Sequence, residues 1–291
     1  MPNAVEPRSV SPRTLAEALD LLAAADGEAP WRPIAGGTDL MVQLTGELVE
    51  PPERILDLWG LDELRGIARE DDALVIGALT TYTELRRSPV VAEFLPGLVE
   101  AAATIGAAQI QNRGTIGGNA INASPAGDTL PILLALGAEL VLASAGGERT
   151  VAADDFWPAY RTTARRDDEL LVRIRLPLAT DRQLRFRKIG TRRAQAISKV
   201  VVALAWRMPA DDGPWTDVRL ALGSVAATTV RAAATEAILE GSRPTRDTAD
   251  AARDALEAEL APIDDVRSTA AYRRLVAGRV LHRLIRDEGS W

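Results

Sequence analysis

Two glycine-rich segments hold the residues of this chain whose types and spacing could do chemistry. Residues 113–131, RGTIGGNAINASPAGDTLP, set Gly114, Gly117, Gly118 and Gly127 among small and amide residues. Glycine permits positive φ and lets main-chain N–H groups approach a ligand with no Cβ in the way, the requirement for cradling a phosphate or pyrophosphate. Within that segment Thr115, Ile116, Gly117, Gly118 and Asn119 have no charge, no strand alternation and little side-chain volume to fill a core, so ligand contact is favoured over packing. Residues 32–40, RPIAGGTDL, read as a short strand entering a diglycine turn, with Thr38 placed to cap the helical turn that follows. A third diglycine, Gly146 and Gly147, sits between two strand-like runs and reads as a plain hairpin connection.

Composition narrows the chemistry. The chain has 291 residues, 47% of them hydrophobic, which is length enough for two or three domains. Its net charge of -7 argues against a broad nucleic-acid or anionic-membrane surface, so an anionic cofactor would have to be held locally by fixed N–H dipoles. There is no cysteine and one histidine, His282. Iron–sulfur clusters and disulfides are thereby excluded, a metal site in this chain is not expected, and His-dependent triads find no support. His282, far from both glycine segments among arginines, reads as structural or solvent-facing. The first ten residues lack the charged start and apolar core of a signal peptide, so a cytoplasmic location is expected. The most apolar run, residues 130–138, is about half the ~20 residues that cross a bilayer, and no membrane span is expected.

The elements that position these segments can be outlined from patterning. Thr14 and Glu17 form a capping box opening a helix from Leu15 to about Ala25, and Thr81 with Glu84 opens a second, short helix that ends before Pro89. Strands are expected at residues 32–35, 55–58 and 74–79, a helix over 97–106, and a helix from Thr129 to Leu136. Asp128 then reads either as the cap of that last helix or as a carboxylate turned toward a ligand, and spacing leaves both open. Residues 169–177, ELLVRIRLP, alternate, with Leu170, Val172, Ile174 and Leu176 on one face and Leu171, Arg173 and Arg175 on the other. Leu171 is the apolar member of the polar face; it covers a neighbouring helix or faces a flat ligand. After Pro177 three antiparallel strands, 184–190, 198–208 and 218–224, precede three helical segments, an α+β unit. The run RKIGTRRAQAISK holds Arg187, Lys188, Arg192, Arg193 and Lys199, read as solvated surface or as contacts to a phosphate or flavin.

Taken in order, AGGTDL (35–40), TIGGNAINASPAGDTLP (115–131), FRKIGTRRAQAISKVV (186–201), ALGSVAATTVRA (221–232) and DDVRSTAAYRR (264–274) resemble the flavin-binding medium subunit of the molybdenum hydroxylases, the family of xanthine dehydrogenase and carbon monoxide dehydrogenase. The resemblance runs nearly end to end. It implies an α+β fold, with a two-subdomain FAD-binding domain of the vanillyl-alcohol-oxidase/PCMH type over 1–178 (subdomains about 1–59 and 60–178). A smaller domain like the carboxy-terminal domain of the carbon monoxide dehydrogenase flavoprotein would follow over 179–291, with a three-stranded antiparallel sheet and helices. Carried over by position, Pro33, Ile34, Ala35, Gly36, Gly37, Thr38, Asp39 and Leu40 would wrap the FAD pyrophosphate. Thr115, Ile116, Gly117, Gly118 and Asn119 would form a second backbone clamp. Asp128 would contact the flavin, Leu171 would lie against the isoalloxazine, and Lys188 would approach from the domain boundary. Ile105 stands where xanthine dehydrogenases can carry an aromatic near the flavin.

The same resemblance implies that 2Fe-2S clusters and molybdopterin lie on separate small and large subunits, in a dimer of heterotrimers, with no nucleic-acid partner. Electrons would pass through FAD in this chain to NAD or another acceptor, with a slight lean toward xanthine dehydrogenase. No catalytic side chain is nominated, because the flavin ring carries the chemistry and the protein orients it. A self-contained oxidase of the vanillyl-alcohol-oxidase type and a non-catalytic assembly scaffold are the competing expectations. Gly117→Val is expected to abolish FAD binding while sparing much of the fold, and Asp128→Ala to lower flavin affinity beyond the loss of a cap.

Overall fold

The chain's strands fall into three sheets, each positioned by a different local pattern; the computed structural model describes residues 6–24, 27–179, 181–192, 195–208 and 213–291. In the first sheet β1 (Arg8–Val10), β2 (Trp31–Ile34) and β3 (Arg54–Asp57) run parallel in the order β1-β3-β2. Parallel neighbours need a crossover, and the Leu15–Ala23 helix lies between β1 and β2 in sequence. Thr14 caps it by accepting from the Glu17 N–H, while the Glu17 carboxylate reaches back to the Arg13 N–H at 2.7 Å instead of to Thr14. The expected limit at Ala25 lies outside the described residues, as does Arg193.

In the second sheet β4 (Ile67–Glu70), β5 (Ala73–Gly77), β6 (Glu139–Ser144), β7 (Gly147–Ala152) and β8 (Leu170–Pro177) pair antiparallel in the order β4-β5-β8-β6-β7. Gly147, at φ +120°, makes the expected hairpin between β6 and β7. The alternation read along β8 breaks at one point. A bulge opposite Val141 leaves Val172 unpaired, so Leu170 and Val172 join Val141 and Ala143 on one side. Leu171 thereby shares the other side with Ile174 and Leu176, because an extra residue shifts the period-2 register.

Between β5 and β6 the chain forms a helical layer: Tyr82–Arg87, Pro89–Phe94, Pro96–Thr104, Ala108–Arg113, Ile116–Asn122 and Leu130–Ala135. The Thr81/Glu84 capping box forms in full, with Glu84 Oε2 accepting from the Thr81 N–H at 2.6 Å.

The three strands expected after Pro177 appear as β9 (Arg182–Ile189), β10 (Val200–Arg207) and β11 (Thr216–Gly223). A two-residue strand, β12 (Val230–Arg231), extends their sheet to the order β12-β11-β10-β9. One face packs Val202, Leu204, Trp206 and Leu222 against Leu256, Leu281 and Leu284 of the carboxy-terminal helices, with Trp206 and Trp215 stacked at 4.4 Å. The opposite face sends Val201, Ala203, Ala205 and Ala221 into the same core as the helical layer. Strand β10 is therefore buried on both sides, and the third sheet is a shared wall. The fold matches the α+β class expected from the sequence.

An ion pair on a buried carboxylate fixes the approach to β8. Glu169 accepts from Arg149 Nε at 2.5 Å, Arg149 Nη2 at 2.8 Å and the Arg166 N–H at 2.7 Å. The Arg149 hydrogen bonds hold the Glu169 carboxyl below the usual carboxylate range. A depressed folded pKa gives stabilisation that is complete above the unfolded value, about 4.3, and is lost as pH falls through the folded value. Glu169→Gln is expected to melt below the parent chain at neutral pH, with the gap narrowing as the pH is lowered from neutral to below about 4.3. Thermal melts across that range check it; a constant gap contradicts the assignment.

Candidate functional site

The turn after β2 is built for close approach. A Cβ on Gly36 would sit 1.7 Å from the Arg113 carbonyl oxygen, so this position presses directly on the chain that enters the second glycine segment. Gly37 has φ +74°, a conformation L side chains rarely adopt. The Leu40–Thr45 helix follows, and its cap is Asp39, not Thr38 as expected; the Asp39 side chain makes no capping bond. The backbone leaves the turn in a helical conformation already at Asp39, which moves the helix start past Thr38. Among the described residues, none of the backbone N–H groups at positions 35–40 finds an acceptor in the protein. Consecutive donors without partners, on a half-buried loop, need an external acceptor or water. That is the chemistry of a pyrophosphate cradle.

The second segment uses its donors differently. Thr115 caps the Ile116–Asn122 helix by accepting from the Gly118 N–H at 3.0 Å. The Ile116 N–H goes to Thr80 O, the Gly117 N–H to Ala78 O and the Asn119 N–H to Thr115 O. A Cβ on Gly117 would meet the Ala78 Cβ and carbonyl oxygen at 2.6 Å. The glycine is there to seat a helix on the end of β5, so the expectation that Gly117→Val spares the fold is corrected. Ile116 is fully buried in the core. This segment shapes a wall and does not offer a second row of free N–H groups.

Both segments line one cavity of about 300 Å³. Of the residues expected at a ligand, Pro33, Ile34, Ala35, Gly37, Thr38, Asp39, Leu40, Ile105, Thr115, Gly117, Gly118, Asn119 and Leu171 lie on its wall. Gly36 and Ile116 lie behind it, serving packing. Leu171 lines the cavity together with its neighbour Leu170, which bears on the choice left open above. Sequence reading missed Tyr82 and Arg165 on the same wall. Tyr82 is the first residue of a capped helix, and its buried phenol, with its pKa pushed up by desolvation, has no hydrogen bond of good geometry. Arg165 comes from the loop before β8, where no motif marks it. Its guanidinium donates to the carbonyls of Arg166, Asp167 and Glu169, which fixes the side chain, and it shares the wall with Arg32.

Asp128 and Lys188 are not on the wall. Lys188 Nζ lies 2.6 Å from Asp128 Oδ2, with both side chains buried, and the Ser198 hydroxyl donates to Asp128 Oδ1. The Leu130–Ala135 helix is capped at Thr129, and the Asp128 carboxylate accepts from Lys188 and Ser198. The cation run around Lys188 divides by environment. Arg187 pairs with Glu100 at 3.1 Å, Lys199 lies 5.1 Å from the Tyr272 ring, and Arg192 donates to Gln195 O. His282 sits on the last helix beside Asp250 at 3.3 Å and edge-on to Trp291, away from the cavity, as expected of a structural residue. Among the described residues no acidic, histidine or cysteine cluster could hold a metal ion.

The family model for the FAD binding domain in molybdopterin dehydrogenase matches residues 5–179, and that for the CO dehydrogenase flavoprotein C-terminal domain matches residues 185–287. The chain belongs to the FAD-binding family of the molybdopterin dehydrogenases. It is 32% identical to the carbon monoxide dehydrogenase medium chain of Hydrogenophaga pseudoflava over 94% of each chain. It is 33% identical to the glyceraldehyde dehydrogenase medium chain of Sulfolobus acidocaldarius over 92% of each. The solved carbon monoxide dehydrogenase of Hydrogenophaga pseudoflava superposes with a TM-score of 0.89 at 33% identity, covering 96% of this chain and 95% of that one. The resemblance read from the sequence is thus borne out, as are the fold class and the assignment to FAD-dependent oxidoreductase subunits. The free donors at positions 35–40, the close approach at Gly36 and the unpartnered Tyr82 phenol all fit a large anionic cofactor of this family.

Proposed function

We propose that this chain is the FAD-carrying medium subunit of a multi-subunit molybdenum hydroxylase, and that its cofactor occupies the cavity beside the 35–40 loop. The observation that carries the reading is the row of N–H groups at positions 35–40 that no protein acceptor satisfies. In the family to which the chain belongs, that loop would receive the FAD pyrophosphate. Gly37, Thr38 and Asp39 would lie nearest it, and Arg32 and Arg165 would add positive charge on the same wall. Ile105 and Leu171 give an apolar surface suited to an aromatic ring, and Thr115, Gly117, Gly118 and Asn119 close the cavity on the helical side. When bound, FAD supplies the redox chemistry, taking electrons from the 2Fe-2S clusters of a small subunit and releasing them to NAD or another acceptor. The chain's own residues bind, orient and shield it.

The partners are a small iron–sulfur subunit and a large molybdopterin subunit, assembled as a dimer of heterotrimers, with the chain organised as units 1–178 and 179–291. Relatives named for carbon monoxide, glyceraldehyde, nicotine and xanthine match at 28–34% identity. That spread supports a substrate chosen on another subunit and adds nothing to the lean toward xanthine dehydrogenase. Among the described residues no helix is long and apolar enough to cross a membrane, and a cytoplasmic location fits the reading. The test is affinity purification of the tagged chain from its native host. Two co-purifying subunits, one with iron–sulfur absorbance, are expected; a flavoprotein that arrives alone and oxidises a small substrate by itself would contradict the proposal.

A further inference from the structure

The Leu40–Thr45 helix buries none of its six residues, although Leu40, Met41, Val42 and Leu44 are apolar. Leu40 and Gln43 line the cavity, while Met41 and Val42 are off its wall and are 53% and 62% exposed. A Schellman turn ends the helix. The Glu47 N–H donates to Leu44 O at 3.1 Å and the Leu48 N–H to Gln43 O at 2.9 Å, with Glu47 at φ +53°. The apolar residue after the left-handed position of such a turn commonly packs back on its own helix. Here Leu48 stays 73% exposed, and Val49 beside it 41%. The backbone of this segment is therefore fixed by its own hydrogen bonds while its apolar side chains face out. A helix in a protein draws most of its stability from a packed apolar face, and contiguous apolar exposure marks a contact surface.

Charge decides what covers it. Residues 33–53 hold Asp39, Glu47, Glu50 and Glu53 and no lysine or arginine. Asp39 lies near Arg161, on a loop that Asn122 ties to the helix by accepting from Arg161 at 3.1 Å and from Gln43 at 3.5 Å. Among the described residues, Glu47, Glu50 and Glu53 have no ion-pair partner. An apolar centre with three unanswered carboxylates beside it complements a protein face with a basic rim. Two copies of this chain joined symmetrically through the segment would set carboxylate against carboxylate, and an anionic lipid surface would be repelled in the same way. The chain has no cysteine and so no iron–sulfur cluster of its own. Electron transfer falls steeply with the separation of the centres, and a protein seated on a helix whose first residue lines the cavity stands beside the cofactor.

We propose that residues 41–53 form the docking surface for the iron–sulfur subunit, which meets it with an apolar face rimmed by lysine and arginine, an assignment that rests on this chain being the FAD subunit proposed above. Met41, Val42, Leu48 and Val49 make the dry centre of the contact. Glu47, Glu50 and Glu53 steer the encounter, so association weakens as salt rises.

The test uses the full tagged chain in its native host. With p-benzoylphenylalanine in place of Leu48, irradiation of the assembled complex is expected to give an adduct whose peptides belong to a cysteine-rich, iron-binding subunit. An adduct with the molybdopterin subunit or with a second copy of this chain, or no adduct at all, would overturn the proposal. Val42→Lys with Leu48→Lys is expected to lower the iron recovered per FAD at least tenfold, with FAD per chain and melting temperature as in the parent, because both side chains are exposed. Glu50→Lys with Glu53→Lys, which changes none of the four apolar residues, is expected to lower it at least threefold. Parental iron per FAD in both variants would equally overturn the proposal. A parental chain that purifies with FAD and without any iron–sulfur subunit would instead contradict the proposed function itself.

Discussion

Gly36→Ala is expected to abolish flavin binding with the smallest side chain that can be added. The new Cβ would stand 1.7 Å from the Arg113 carbonyl oxygen and 2.5 Å from its carbon. These are backbone atoms of a chain fixed by the Gly114 N–H to Ile110 O bond and by the Tyr82 N–H to Gly114 O bond, so the loop at 35–40 has to move instead. Moving it scatters the N–H groups that stand free in the parent. A loss of at least 100-fold in FAD affinity, about 2.8 kcal/mol, is expected. The strain adds roughly 1–3 kcal/mol of destabilisation, the usual range for over-packing. Fluorescence titration of the apoprotein with FAD measures the first and thermal melting the second. A variant that binds FAD within about threefold of the parent would mean that the loop does not hold the cofactor.

Gly117→Val is expected to act in the opposite order, on the fold before the cofactor. Its Cβ would collide with the Ala78 side chain and carbonyl at 2.6 Å, and the Gly117 N–H to Ala78 O bond that seats the helix would be strained. Over-packing of about 3 kcal/mol, in a chain of this size, lowers the melting temperature by roughly 6–12 °C. Flavin loss would follow from the displaced helix. The check is melting of the apoprotein, where cofactor loss cannot contribute. An apoprotein as stable as the parent, with flavin binding gone, would restore a direct clamp role for Gly117.

These two glycines also mark what the residues could and could not tell. Both segments were legible as backbone shaped for close approach, because glycine density without volume or charge has few other uses. Which approach each serves was not legible: Gly36 and Gly117 are pressed by backbone atoms far along the chain, Arg113 and Ala78, and no local pattern encodes those partners. The capped helices, the hairpin at Gly147 and the three long strands of the third sheet follow from local rules and appear where expected. The faces of β8 do not, since a bulge is set by pairing with β6 and reverses an alternation that looks regular in one dimension. Lys188 and Asp128, 60 residues apart, looked like independent contacts. Only the third sheet brings them together and turns them toward each other. Tyr82 and Arg165 belong to elements whose local role is complete without the cavity, so nothing in their neighbourhoods announces it.

The most direct test of the central claim is the visible absorption spectrum of the chain expressed by itself and supplied with FAD, with the released cofactor identified by mass and counted per protein. About one non-covalent FAD per chain is expected, with no turnover of small substrates in the absence of partners, a stoichiometry that follows from the cradle at positions 35–40. A chain that folds yet holds no flavin after reconstitution would contradict it and leave a scaffold role in its place.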